Sequence, residues 1–149
     1  LDAALGARKV TPGSRTASLR CGRQLARLAQ ELTDDALALE LAQEVAAGRV
    51  EGHLTVVEAT LVRAAGLGPA EAVLLSLRGA AAGVLSAAVR LGMLSAREAQ
   101  RGLAQLHGAI AAACARALET PLSALHSSTP ELDLLAYMHP RGDARSFAT

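Results

Sequence analysis

The fold class this sequence predicts is all-α, and three observations predict it. Hydrophobic residues make up 51% of the chain but aromatics only 1%, with no Trp, one Tyr and one Phe. Ala and Leu, which head the helix-propensity ranking, dominate instead. Apolar positions recur at helical spacing, and N-cap residues, prolines and glycines punctuate that spacing where helices should start and stop. With 149 residues, residues 1–149 are expected to form a single domain, a bundle of about six helices around an Ala/Leu-rich central helix. A domain of this size hides about 68 to 70% of its unfolded surface.

The first helix is expected over residues 12–32. Thr11 stands as N-cap and Pro12 at the first helical position, and Leu19, Leu25, Leu28 and Leu32 follow at helical spacing. Thr33 caps the second helix, where Asp34 and Asp35 suit the positive end of the helix dipole. Leu37, Leu41 and Val45 form its stripe and Gly48 ends it. A third helix runs from about His53 to Ala65, closed by the turn Gly66 to Pro69.

The fourth helix, Pro69 to about Leu91, has apolar or small residues on nearly all faces, which predicts a core helix. Gly79, Ala82, Gly83 and Ala87 are expected beneath a crossing helix. The window Ala70 to Leu91 matches the ~20 residues of a membrane span. Glu71, Arg78 and Arg90 weigh against insertion, because a central charge costs about 2.5 to 3.5 kcal/mol. Gly92 stops this helix, and Ser95 with Glu98 forms a capping box that opens a fifth, expected to run to about Leu118. Pro121 breaks the chain, Leu122 to His126 adds a turn, and Thr129, Pro130 and Glu131 start a short last helix ending near Met138. Residues 139–149 form a polar tail in which Phe147, the one Phe of the chain, stands two residues from Arg145. Arg and aromatic side chains are the types that anchor interfaces.

Fifteen basic and fourteen acidic residues give a net charge of +1, so no global field favours nucleic acid or an anionic membrane. Scarce aromatics remove the stacking platforms of single-strand binders. No helix is expected to concentrate Lys or Arg on one face, which tells against the alternative of a helical ligand-sensing or transcription-regulator domain. Partners are expected to be proteins. Cys21 and Cys114 lack metal-ligand spacing and are expected to be small buried hydrophobes in a reducing compartment. His53, His107, His126 and His139 have no partner at i+3 or i+4, so no metal site is expected and they are expected at the surface or at helix ends. No catalytic residue set and no cofactor site is visible, and the chain is not expected to be an enzyme.

Four stretches together resemble the urease accessory protein UreF family. In "LDAALGARKVTPGSRTASLRCGRQLARLA" the matching residues are Asp2, Arg15, Ser18 and Gly22. "GHLTVVEATLVRAAGLGPAEAVL" resembles a His-led helix and Gly-containing turn of the family, and "SAAVRLGMLSAREAQ" resembles its corner and the helix that follows. "PELDLLAYMHPRGDARSFAT" resembles the carboxyl end through Asp133, His139, Arg145 and Phe147. The chain departs from the family where a Gly-Gln-Thr-Asp-Gly-Gln run is usual, of which Gln100 remains. It also departs after His139, where Pro140 to Asp143 stand in place of Glu-Thr-Gln-Tyr. The family's early amino-terminal segment is absent, so the chain is expected to be a fragment or an incompletely covered member.

The resemblance implies an all-α, non-catalytic, cytoplasmic maturation factor. It would act with UreD (also called UreH) and the GTPase UreG as a scaffold to apo-urease for nickel insertion, and it would pair as a homodimer. Partner contacts are then expected at Arg145, Phe147, His139, Arg90 and Gln100. Arg90 has an equally simple local role, offsetting the negative end of the helix dipole.

Overall fold

A computed structural model describes residues 1–9, 11–124 and 130–138. Among them are eight α-helices, a single 3₁₀ turn at Leu122–Ala124 and no strand. The helices are α1 (Asp2–Arg8), α2 (Pro12–Leu32), α3 (Ala36–Ala46), α4 (Leu54–Ala64), α5 (Pro69–Arg90), α6 (Ala96–Gln105), α7 (His107–Glu119) and α8 (Pro130–Met138). The all-α expectation is borne out. The helices group into two compact units, α1 to α4 with α8 and α5 to α7.

In the first unit α2 packs against both α3 and α4. Its start follows the sequence signals, with Pro12 in the first turn and the Thr11 hydroxyl accepting from the Ser14 N–H at 3.3 Å. Ala26 and Ala29, each 1% exposed, let the neighbouring helices approach closely. With Ala42, Val45 and Val57 they form a core flanked by Leu25, Leu41, Val50 and Leu61. Asp35 rather than Thr33 caps α3. Its Oδ1 accepts from the Ala38 N–H at 3.0 Å and from Arg63 Nη2 at 2.6 Å, which ties the start of α3 to the end of α4. Helix α1 was not legible in the sequence, because seven residues carry too little periodicity to announce a helix.

The second unit corrects one expectation about the core. Helix α5 packs on α6 and on α7, but none of its residues is buried. The buried positions are Ala99 and Leu103 on α6 and Ile110 and Cys114 on α7. A Cβ placed on Gly79 or Gly83 would meet nothing within 4 Å, so no helix backbone crosses there among the described residues. Ala82 and Ala87 are half-buried. Two neighbours cover only part of a helix's circumference, which leaves Leu74, Leu75 and Val84 exposed. By length and composition α5 could cross a membrane.

Three further expectations are corrected. The helix read as continuous from Ser95 to Leu118 breaks at Leu106 between α6 and α7. Gly102 and Gly108 flank the break, and each lowers helix propensity there. Cys21 is exposed while Cys114 is buried. One residue's rotation carries Cys21 off the face that Ser18, Gly22 and Ala26 bury. Finally, α2 does gather basic residues. Arg20, Arg23 and Arg27, at spacings of three and four, line one open groove on its exposed side.

Candidate functional site

The densest polar arrangement lies in the first unit, where α1, α2 and the segment before α4 meet. Asp2, in the first turn of α1, accepts from two consecutive backbone N–H groups, Gly52 to Oδ2 at 3.0 Å and His53 to Oδ1 at 2.9 Å. His53 is the N-cap of α4 and is 0% exposed. The Ser18 hydroxyl oxygen accepts from the Leu54 N–H at 3.3 Å and lies 3.1 Å from His53 Nδ1. With one donor and two acceptor lone pairs, the hydroxyl serves both contacts in either direction at Nδ1, according to the tautomer of the ring. Nε2 lies 3.3 Å from Glu51 Oε2, with no acceptor in line for a hydrogen bond among the described residues. The Arg15 guanidinium pairs with the other oxygen of Glu51.

Glycines let these segments close together. A Cβ on Gly6 would fall 2.5 Å from Glu51 Oε2 and 2.9 Å from His53 Nε2. One on Gly22 would fall 2.1 Å from the Gly52 carbonyl oxygen and 2.6 Å from the Leu54 nitrogen. Backbone therefore meets backbone where α2 passes the start of α4. Asp2, Ser18 and Gly22 share this junction, and Arg15 guards its rim.

Ser18, His53 and Glu51 follow the order of a nucleophile, base and acid, but the arrangement does not suit catalysis. The Ser18 oxygen already receives the Leu54 N–H, both Ser18 and His53 are buried, and Gly6 covers the far edge of the ring. What the junction does is fasten three segments of chain. Sequence reasoning missed Glu51 and the burial of His53, which was expected at the surface or a helix end. It is at a helix end, but the Gly52 to Leu54 backbone runs under α2 and carries the ring inside. Among the described residues no three His, Cys, Asp or Glu side chains converge as metal ligands.

In the second unit a shallow groove of about 190 Å³ runs between α5 and α6, lined in part by Ser86, Val89, Ala99 and Gln100. Gln100 is exposed on its edge. Arg90, one turn beyond Ser86, donates from Nη1 to the Ser86 Oγ at 3.0 Å. Gln100 thus lines the groove, while Arg90 is not among its lining residues and touches one of them, Ser86. At the start of α6 the Glu98 carboxylate accepts from the Ser95 hydroxyl at 2.6 Å and the Ser95 N–H at 2.8 Å, and these bonds hold its pKa below the ordinary carboxylate value. His139, Arg145 and Phe147 lie outside the described residues.

These features define a helical protein whose polar side chains serve junctions and surfaces. The UreF family model matches residues 1–107 of the chain, which contain the junction, α5, and all of α6 and its groove. The chain belongs to the UreF family of urease accessory proteins. It is 30% identical to the urease accessory protein UreF of Photorhabdus laumondii over 147 residues, 99% of this chain and 64% of that protein. The UreF proteins of Yersinia pestis and Yersinia pseudotuberculosis are each 29% identical over the same shares. The chain thus spans just under two thirds of the length of these relatives. No solved structure matches it.

Proposed function

We propose that this chain is a non-catalytic scaffold of urease maturation, which acts in the cytoplasm. On this reading it links a UreD/UreH-type protein and the GTPase UreG to apo-urease so that nickel reaches the urease active site, and it works as a homodimer. The observation that carries the reading is the family match over residues 1–107, together with the role of the matching residues. Asp2, Ser18 and Gly22 hold one junction that fixes how α1, α2 and α4 meet. Such a junction preserves a surface shape for partners. Arg90 and Gln100, beside the α5–α6 groove, are the contacts proposed in the second unit, and His139, Arg145 and Phe147 those near the carboxyl end.

The test is reconstitution. The protein is expressed with a urease operon from which the UreF gene has been deleted, and urease activity, urease nickel content and co-purification of UreD and UreG are measured. Restored nickel loading with both partners retained is the expected result. Arg145→Ala is expected to weaken assembly by about 30-fold, close to 2 kcal/mol, with an unchanged melting temperature. Nickel-free urease and no retained partner, from a protein with a normal helical spectrum, would overturn the reading.

A further inference from the structure

The junction leaves one surface of the first unit unaccounted for. Helix α2 carries four arginines and, within its 21 residues, one acid, Glu31 near its end. Arg15 is spent on Glu51. Arg20, Arg23 and Arg27 are exposed and lie on the side of the helix away from Ser18, Gly22, Ala26 and Ala29. Arg23 is fixed by its Nε, which donates to the Glu51 carbonyl oxygen at 3.0 Å. None of the three forms an ion pair among the described residues.

Two open grooves share Arg23 and Arg27. One is completed by Thr16, Leu19, Arg20 and Gln24, the other by Ala42, Val45, Ala46 and Gly48 of α3 and its end. Arg23 and Arg27 thus stand as a ridge between two shallow depressions: the other walls of the one beside α3 are all small or apolar, while those of the other join Leu19 and Arg20 to the polar Thr16 and Gln24. From Arg20 to Arg27 is two helical turns, about 10 Å.

We propose that this ridge docks an acidic helical segment of a partner protein, whose carboxylates, spaced over two turns, meet Arg20, Arg23 and Arg27 while its small apolar residues enter the groove beside α3. Charge complementarity commits the surface to an acidic occupant, because guanidinium forks match carboxylates in bidentate geometry. The apolar walls beside α3 favour a protein over the other anionic partners. A nucleic-acid surface draws its affinity from about 6 to 10 phosphate contacts, and lipid headgroup sites from clusters of about 4 to 8 basic residues. Three arginines on a chain of net charge +1 fall short of either.

The experiment measures binding of the whole protein to a fluorescent helical peptide of roughly 18 residues, about five turns, with Glu at spacings of three and four beside Ala and Leu. A peptide of the same composition in scrambled order is the control. The variant Arg20→Gln/Arg27→Gln leaves the Arg23–Glu51 contact in place, and circular dichroism checks its fold. Arg97→Gln/Arg101→Gln on α6 removes the same charge elsewhere. The ordered peptide is expected to bind at least about 10-fold tighter than the scrambled one, and to weaken by about 10-fold in the α2 variant and less than twofold in the α6 variant. Equal loss in both variants, or equal binding of both peptides, would overturn the proposal. Tighter binding of duplex DNA or of phosphatidylglycerol vesicles than of the ordered peptide would also overturn it. No urease component enters the experiment, so its failure would leave the maturation reading untouched.

Discussion

Replacing Gly22 with Ala sets two effects of known sign against each other. In an ordinary helix interior the change stabilises by about 0.5 to 1 kcal/mol, because Ala gives up less backbone entropy than Gly. At Gly22 the added methyl would lie 2.1 Å from the Gly52 carbonyl oxygen, 2.6 Å from the Leu54 nitrogen and 2.8 Å from the His53 carbonyl carbon. All three are backbone atoms of the segment that Asp2 and Ser18 hold in place, so no side chain can swing aside. Helix α2 must retreat by roughly 1 Å, and the closely packed Ala26 and Ala29 one and two turns on lose contact with it. Overpacking of this kind costs about 1 to 3 kcal/mol, and the rigidity of the obstacle argues for the upper end. The expected net effect is a destabilisation of about 1 to 2 kcal/mol. Urea unfolding followed by circular dichroism at 222 nm measures it, with Gly13→Ala as the control on the same helix. A Cβ at Gly13 meets nothing within 4 Å, so that variant should hold its stability or gain. If Gly22→Ala proved as stable as wild type, the close approach of α2 to the start of α4 would be wrong.

Gly83→Ala is expected to stabilise the second unit by up to about 1 kcal/mol, since the site is open and only the entropy term remains. A lower melting temperature would show that a helix does cross α5 at that point. The Ser95–Glu98 capping box gives a pH dependence of fixed sign. The folded pKa of Glu98 is depressed by its bonds to Ser95, so its contribution is complete above its unfolded pKa and is lost as pH falls through the folded value. The gap in melting temperature between wild type and Glu98→Gln should therefore be open at neutral pH and close on acidification below the ordinary carboxylate range. A gap that stayed constant to the acid limit would mean that the carboxylate charge does no work at this cap.

The helices announced themselves through local chemistry. Thr11 with Pro12, Ser95 with Glu98, and the glycines at positive φ, Gly48, Gly66 and Gly92, are signals read within one or two turns, and the structure places helix ends at each. The residues of the junction were visible as a resemblance, but their purpose was not. Asp2 acts across 50 residues on the Gly52 N–H, a relation that no periodicity records. The misplaced core has a related cause. Composition makes α5 strongly apolar, but burial depends on how much of a helix its neighbours cover, and among the described residues the helices packed closely on α5 are α6 and α7. The basic ridge of α2 was missed because a near-neutral total hides a local excess when acids elsewhere balance it.

The link from Asp2 to Gly52 and His53 also sets the kinetics of the amino-terminal helix. Isolated helices shorter than about 12 to 15 residues are marginal in water, so α1, with seven, persists only while docked. Its release would uncover the Gly52 and His53 amide protons while the α2–α3–α4 core stayed closed. Those two protons would then exchange with deuterated solvent through a local opening, while the amides of Ala26 and Ala29 would wait for the whole unit to unfold. The protection of the Gly52 and His53 amides relative to their unprotected rates reads out the free energy with which α1 as a whole is held to the rest of the unit.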